Sequence, residues 1–197
     1  MSGGGLLIFG AGGGGSGPSL LFQDTFTDAD GTALESHVPN TGGTWIEQSG
    51  TDWIINSNRA QNQGGASGGQ QSAAININQS NCFVEATIVV FGTGDGGLIG
   101  RAAGDLDYIL VVIESGALIL YRRVAGTFTN IGSFTGTISA NDVIRLECNG
   151  ANLVTVYQNG ISRISVTETA GSTNTRWGIR ENGTTPMEYD DFQIDLA

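Results

Sequence analysis

From Leu20 to the C-terminus, apolar and polar residues alternate with a period of two, in short runs punctuated by Gly, Asn and Asp. The pattern predicts strands at 20–26, 44–48, 52–56, 59–62, 72–77, 82–91, 97–103 and 107–114. It continues with strands at 117–124, 127–134, 142–149, 152–159, 161–167, 176–182 and 187–195. In VIRLEC, Ile144, Leu146 and Cys148 share one face while Arg145 and Glu147 share the other. In LVTVYQ, Leu153, Thr155 and Tyr157 oppose Val154 and Val156. Asn149-Gly150 and Asn159-Gly160 fall between such runs, and Asn-Gly is the dipeptide of tight hairpin turns. No window keeps a helical period beyond a turn or two, and DGTALESH (30–37) is at most a short helical turn. NQGGASGGQQS (62–72), uncharged and rich in Gly and Gln, predicts a loop. Many short strands without crossover helices predict an all-β, two-sheet antiparallel sandwich.

Residues 1–19 depart from this pattern. Glycines at 3–5, 10, 12–15 and 17 surround one apolar island, Leu6-Leu7-Ile8-Phe9. No base precedes Arg59, and the island is shorter than the ~7–15 apolar residues of a secretory signal. Nor does any stretch approach the ~18–20 apolar residues of a membrane helix, so no membrane insertion is expected. A flexible linker is the plain reading of such a composition. Ordering glycine costs more backbone entropy than ordering any other residue. An ordered arm would therefore need cover from neighbouring subunits or a partner, with Leu6, Leu7, Ile8 and Phe9 as its anchor. The chain thus divides into a glycine-rich arm, 1–19, and one folded domain, 20–197.

Composition narrows the classes further. Among 197 residues, 39% are hydrophobic, enough for a core, and only 14% are charged. There are 32 glycines and three prolines, which suits tight turns and close-packed strands. Nineteen acids face eight bases, every one of them Arg, for a net charge of −11. That balance opposes nonspecific binding to nucleic acid or an anionic membrane surface. Two cysteines, Cys82 and Cys148, are too few for a disulfide scaffold. They either pair with each other or are both buried thiols.

The order of these pieces resembles the concanavalin A-like, laminin-G-like jelly-roll superfamily. The residues that carry the likeness are FQDTFTDADGTALESH, GTW at 43–45, Trp53-Ile54-Ile55 followed by Asn58-Arg59, and FVEATIVV. GLIGRAAGDLDYILVVIESGALILYRRVAGTFTNIGSF, VIRLECNGANLVTVYQNGISRISVTE and YDDFQID complete it, so that it spans about residues 20–197. The resemblance implies a two-sheet jelly roll. Its members include lectins, glycan-binding modules, glycosidases, and structural modules of bacterial and phage surfaces, so fold alone leaves function open.

Candidate chemistry is sparse. Glycoside hydrolysis needs two facing carboxylates, and catalytic relatives carry a Glu-x-Asp-x-x-Glu strand that this chain lacks. Asp105 and Asp107 stand at a loop edge without a following Glu, and Glu85 stands alone. His37, the single histidine, reads as a surface-loop residue in a polar stretch, and no Gly-x-Ser-x-Gly elbow occurs. The resemblance implies a structural calcium between an N-terminal loop and a C-terminal Asp, with Asp28, Asp30, Asp190 and Asp191 as its candidates. The alternative is a turn at Asp28–Gly31 and a solvated Asp190. Glycan binding would use aromatic platforms with nearby amides and acids, and the available rings are Trp45, Trp53, Trp177, Tyr108, Tyr121, Tyr157 and Tyr189. Trp45 and Trp53 stand where the fold buries an aromatic, however, and Trp177 follows an inward pattern, so each is expected in the core.

These features favour a non-enzymatic structural protein of a large assembly, such as a tailed-phage capsid decoration or head- or tail-surface protein held at the virion surface by its arm. Its partners would be capsid or tail proteins and like subunits. The alternative is an extracellular or displayed carbohydrate-binding module whose partners are glycans.

Overall fold

The computed structural model describes residues 20–50, 53–63, 70–92, 94–183 and 185–197. The anchor island Leu6–Phe9 lies outside them. All fifteen strands form. They are β1 (Phe22–Asp24), β2 (Ile46–Ser49), β3 (Trp53–Ile55), β4 (Ala60–Asn62), β5 (Gln71–Asn76), β6 (Cys82–Val90), β7 (Gly97–Gly104) and β8 (Asp107–Glu114). The rest are β9 (Ala117–Val124), β10 (Thr127–Thr135), β11 (Asp142–Cys148), β12 (Leu153–Gln158), β13 (Ile161–Thr167), β14 (Arg176–Glu181) and β15 (Glu188–Leu196). Of the expected helical turn only a 3-10 turn, Leu34–Ser36, is present, anchored by buried Leu34. The segment read as a loop at 62–72 is shorter than expected, because Gln71 already opens β5. No helix among the described residues is long and apolar enough to cross a membrane.

The strands form two antiparallel sheets. Sheet A runs β13-β12-β11-β6-β15-β4-β3, with β1 also paired to β15. Sheet B runs β10-β9-β8-β7-β14-β5-β2. The alternation read from the sequence decides what lies between them. Ile144, Leu146 and Cys148 of β11, with Val154 and Val156 of β12, are wholly buried from sheet A. Ile109, Val111, Leu118, Leu120, Trp177 and Ile179 meet them from sheet B. Trp45, Trp53 and Trp177 are all core residues, as their pattern implied. The Trp177 indole lies against Gly100, where a Cβ would come within 2.6 Å of its ring, so the sheet accommodates that ring only because β7 has no side chain there.

Turn chemistry follows the sequence at one Asn-Gly and departs at the other. Asn159 (φ 50°) and Gly160 (φ 76°) join β12 to β13 as a two-residue turn. Asn149-Gly150 instead opens a four-residue connection whose left-handed residue is Asn152 (φ 59°). The Asn149 side chain explains the difference. Its Oδ1 accepts the backbone N–H groups of Ala151 and Leu153, closing a wider turn. Cys82 and Cys148 are directly opposed across β6 and β11, and both are free, buried thiols. Burial pushes each thiol's pKa up to about 12.

Candidate functional site

Strand β8 is the first sign of a site. YILVVI is buried on both faces, whereas a strand with one solvated face alternates. Ile109, Val111 and Ile113 enter the core between the sheets. Tyr108, Leu110 and Val112 point the other way, where they cluster with Ala74, Ile99 and Ala102, flanked by Ile119 and Tyr121. Register builds this face: Leu110 pairs with Ile99 on one side and with Tyr121 on the other, and Tyr108 pairs with Arg123. The outer face of sheet B therefore carries a second, smaller apolar layer.

Phe128, from β10, stands at the edge of that layer and is 36% exposed. Its ring meets Tyr121 edge-on at 6.0 Å and Tyr108 at 6.2 Å between centroids. Beside it opens a pocket of about 180 Å³ lined by Asp95, Leu110, Val112, Tyr121, Phe128 and Arg180. A second depression, lined in part by Tyr108, Arg123 and the 169–174 loop, adjoins it.

Two guanidinium groups flank Phe128, with Arg123 Cζ 4.8 Å and Arg180 Cζ 5.4 Å from the ring centroid. Their circumstances differ. Arg123 donates to Tyr108 Oη, Gln70 Oε1 and the backbone oxygens of Asp105 and Gly126, and it has the Asp105 carboxylate 3.6 Å away. Through Nε and Nη1 it braces the neighbouring loops. Arg180, from β14, is 2% exposed and donates from Nη1 to the Asp95 carbonyl at 2.6 Å. Its Nε is buried with no hydrogen-bond partner, and among the described residues no ion pair involves it. Burying a cation is costly even after relaxation, and a carbonyl and a ring face offset only part of that cost. Apolar floor, exposed ring and an under-occupied cation together make a site suited to a polar ligand with one apolar face.

No family model and no curated protein sequence matches the chain. Solved structures do match it. Carbohydrate-binding module CBM66 from Bacillus subtilis aligns with a TM-score of 0.64 at 16% identity, covering 77% of this chain and 94% of its own. The exoplasmic/lumenal domain of VIP36, in a form bound to calcium and mannose, aligns with a TM-score of 0.54 at 12% identity. That match covers 82% of this chain and 85% of the other. The fold is a concanavalin A-like jelly roll. Xylan β-1,4-xylosidase from Bacillus halodurans C-125 shares the sandwich, with a TM-score of 0.56 at 12% identity. There the match covers 73% of this chain but only 34% of the enzyme. At these identities the likeness concerns the fold.

In this jelly roll the residues expected to hold calcium have other partners. Asp28 Oδ1 accepts the Ala29 N–H, and its Oδ2 lies 3.2 Å from His37 Nδ1. The Ala29 N–H and then His37 hold the Asp28 carboxyl below its usual pKa. Asp30 accepts the Ser57 N–H at 2.6 Å. Asp190 and Asp191 sit at an irregularity in β15, where Asp191 takes φ 48° and donates its N–H to Asp190 Oδ1. Burial, and then the neighbouring Asp191 charge, raise the Asp190 pKa. Among the described residues no group of three or more His, Cys, Asp or Glu side chains is arranged to hold a metal ion.

His37 is not the surface-loop residue that its polar neighbours suggested, being only 5% exposed. The reason is Asp24, whose fully buried carboxylate must be satisfied by donors. Asp24 accepts from the Phe26 N–H and Trp45 Nε1, both at 2.7 Å, and has His37 Nε2 at 2.9 Å. The histidine fastens the N-terminal loop to the sandwich. Glu85 is paired with Arg145 on the far sheet, and Asp107 accepts the Ala125 N–H in a turn.

Sequence reasoning sorted the tryptophans correctly but missed Phe128, Arg123 and Arg180. One signal was present in YILVVI, whose lack of a polar face marks a strand covered or used on both sides. Nothing local announced that Phe128 would join it.

Proposed function

We propose that this chain is a carbohydrate-binding module and that the Phe128 pocket on sheet B is its sugar site. The observation that carries this reading is a partly exposed aromatic ring beside an apolar floor, rimmed by unsatisfied guanidinium and accessible carboxylate groups. A pyranose presents an apolar C–H face to a ring and hydroxyls to the rim. Support also comes from the similar folds of a carbohydrate-binding module and of a mannose-bound lumenal domain. Among the described residues the pocket lining contains one carboxylate, Asp95, whereas glycoside hydrolysis takes two, so binding without cleavage is the chemistry proposed. The reading does not depend on calcium. A glycan array probed with the full chain and with Phe128→Ala tests it. Saturable binding that the variant loses supports the assignment; retention of no glycan, or binding indifferent to Phe128, overturns it.

The assembly reading rests on a glycine-rich arm, residues 1–19, joined to a jelly roll without a recognised catalytic motif, and the comparisons lend it no support. In that reading the arm would fix the domain to a virion surface or another particle, leaving the sugar site free. Removal of residues 1–19 should then abolish incorporation into the particle and leave glycan binding unchanged.

A further inference from the structure

We infer that the pocket selects acidic sugars, with Arg180 receiving the carboxylate of a uronic or sialic acid residue. The inference rests on the carbohydrate reading and adds the ligand's charge class. Its basis is the mismatch at Arg180, a guanidinium 2% exposed, lining the pocket, with Nη1 bonded to a carbonyl and a buried Nε that has no partner. The Nε edge of a guanidinium is one of the two edges that a carboxylate can engage through parallel hydrogen bonds, a planar match that neutral hydroxyls lack.

The surroundings favour this group over its neighbours as the ligand's counter-charge. Arg123, on the other side of Phe128, already has carbonyl, amide and phenol acceptors and a carboxylate nearby. Arg176, on the same strand, donates to the Ala103 carbonyl. Arg180 bonds only the backbone oxygen of solvent-exposed Asp95, and the neighbouring Glu181 carboxylate attracts the guanidinium without an ion pair among the described residues. The chain's net charge of −11 repels an anionic sugar at long range. Beyond the Debye length of about 8 Å at physiological salt that repulsion is largely screened, and at contact the local guanidinium dominates. An acidic glycan is therefore admitted at one place and discouraged elsewhere on the surface.

The test is an array holding neutral, uronic-acid, sialylated and sulfated glycans. It is followed by titration of a binding carboxylated oligosaccharide and its methyl ester against the wild-type chain and Arg180→Met. The ester removes charge while the protein stays unchanged, so the result does not depend on the variant folding. The expected outcome is that binders carry carboxylates, and that esterification and Arg180→Met each weaken binding at least tenfold. Together they should weaken it little more than either alone. Neutral binders, or carboxylated binders indifferent to esterification, would overturn the charge assignment and leave the carbohydrate reading standing. Sulfated glycans as the sole binders would overturn it equally. Retention of no glycan would remove both.

Discussion

The two sheets expose outer faces of opposite character, and one arginine on each shows why. On sheet A, register places Arg145 of β11 opposite Glu85 of β6, and Glu85 opposite Gln193 of β15. Arg145 Nε donates to Glu85 Oε2 at 2.8 Å, Gln193 donates to Glu85 Oε1 at 2.6 Å, and the guanidinium lies 3.9 Å from the Phe83 ring centroid. That cross-strand row is closed upon itself. On sheet B, Arg180 is more deeply buried yet has one carbonyl, a distant ring and an unpartnered Nε. A surface whose polar groups satisfy one another needs nothing further, whereas one with a buried donor left over gains by meeting an acceptor. The same residue type is thus a structural element on one sheet and a candidate receptor on the other.

The largest effects should come from the apolar layers. Leu110, 1% exposed on the outer face of sheet B, behaves as a core residue, and Leu110→Ala should cost about 2–4 kcal/mol in urea unfolding. Tyr157→Ala on the outer face of sheet A should cost less, about 1 kcal/mol, since that ring is only partly buried and belongs to no second apolar layer. Equal losses would mean that sheet B has no second layer.

Next in size is the pairing of the two cations. Glu85→Ala leaves Arg145 and Gln193 without their common acceptor and should destabilise the fold by about 1–2 kcal/mol. Arg180→Met, which exchanges an incompletely compensated cation for an apolar chain, should leave stability unchanged or raise it by about 1 kcal/mol. A large loss from Arg180→Met would show that the guanidinium serves folding rather than binding. Phe128→Ala should cost little stability but lower glycan affinity by about 1–2 kcal/mol, roughly 5- to 30-fold.

The smallest effects are in pH dependence, where the sheets differ in sign. In Asp142 of sheet A burial acts to raise the pKa, but the Ser139 N–H with Asn159 and Gln158 outweighs it and holds the carboxyl below 3.8. Its stabilising contribution is present above the usual value and is lost as pH falls through the lowered one. In Glu181 of sheet B burial prevails over the Met187 and Asn182 N–H groups and raises the pKa above 4.5. Its contribution is present below 4.5 and fades as pH rises through the raised value. Urea midpoints measured across pH 2–7 should therefore lose part of the acid limb in Asp142→Asn. In Glu181→Gln they should lose part of the slope just above pH 4.5. Matching signs in the two variants would refute the contrast.

Much of the architecture was legible because a strand's period is local. VIRLEC and LVTVYQ announce their own inward faces, and each face is found where alternation puts it. Turns were less legible, since Asn149-Gly150 has the dipeptide of a tight hairpin while its side chain builds a wider one. His37 was misplaced for a comparable reason. Its neighbours in sequence are polar, but its environment is set by Asp24, thirteen positions away, and by Trp45 on the same carboxylate.

The sequence by itself determined the strands, the class of fold, the buried tryptophans and the acidic balance of the chain. These follow from composition and from a periodicity of two, both readable a few residues at a time. Only the tertiary structure decided that β14 pairs with β7, that β8 and β9 pair alongside, and that β10 closes the row. That order brings Arg180 to Phe128, and their positions in the chain give no hint of it. Pairing between distant strands is set by the packing of the whole sandwich, so a site assembled across a sheet becomes visible only once the sheet exists.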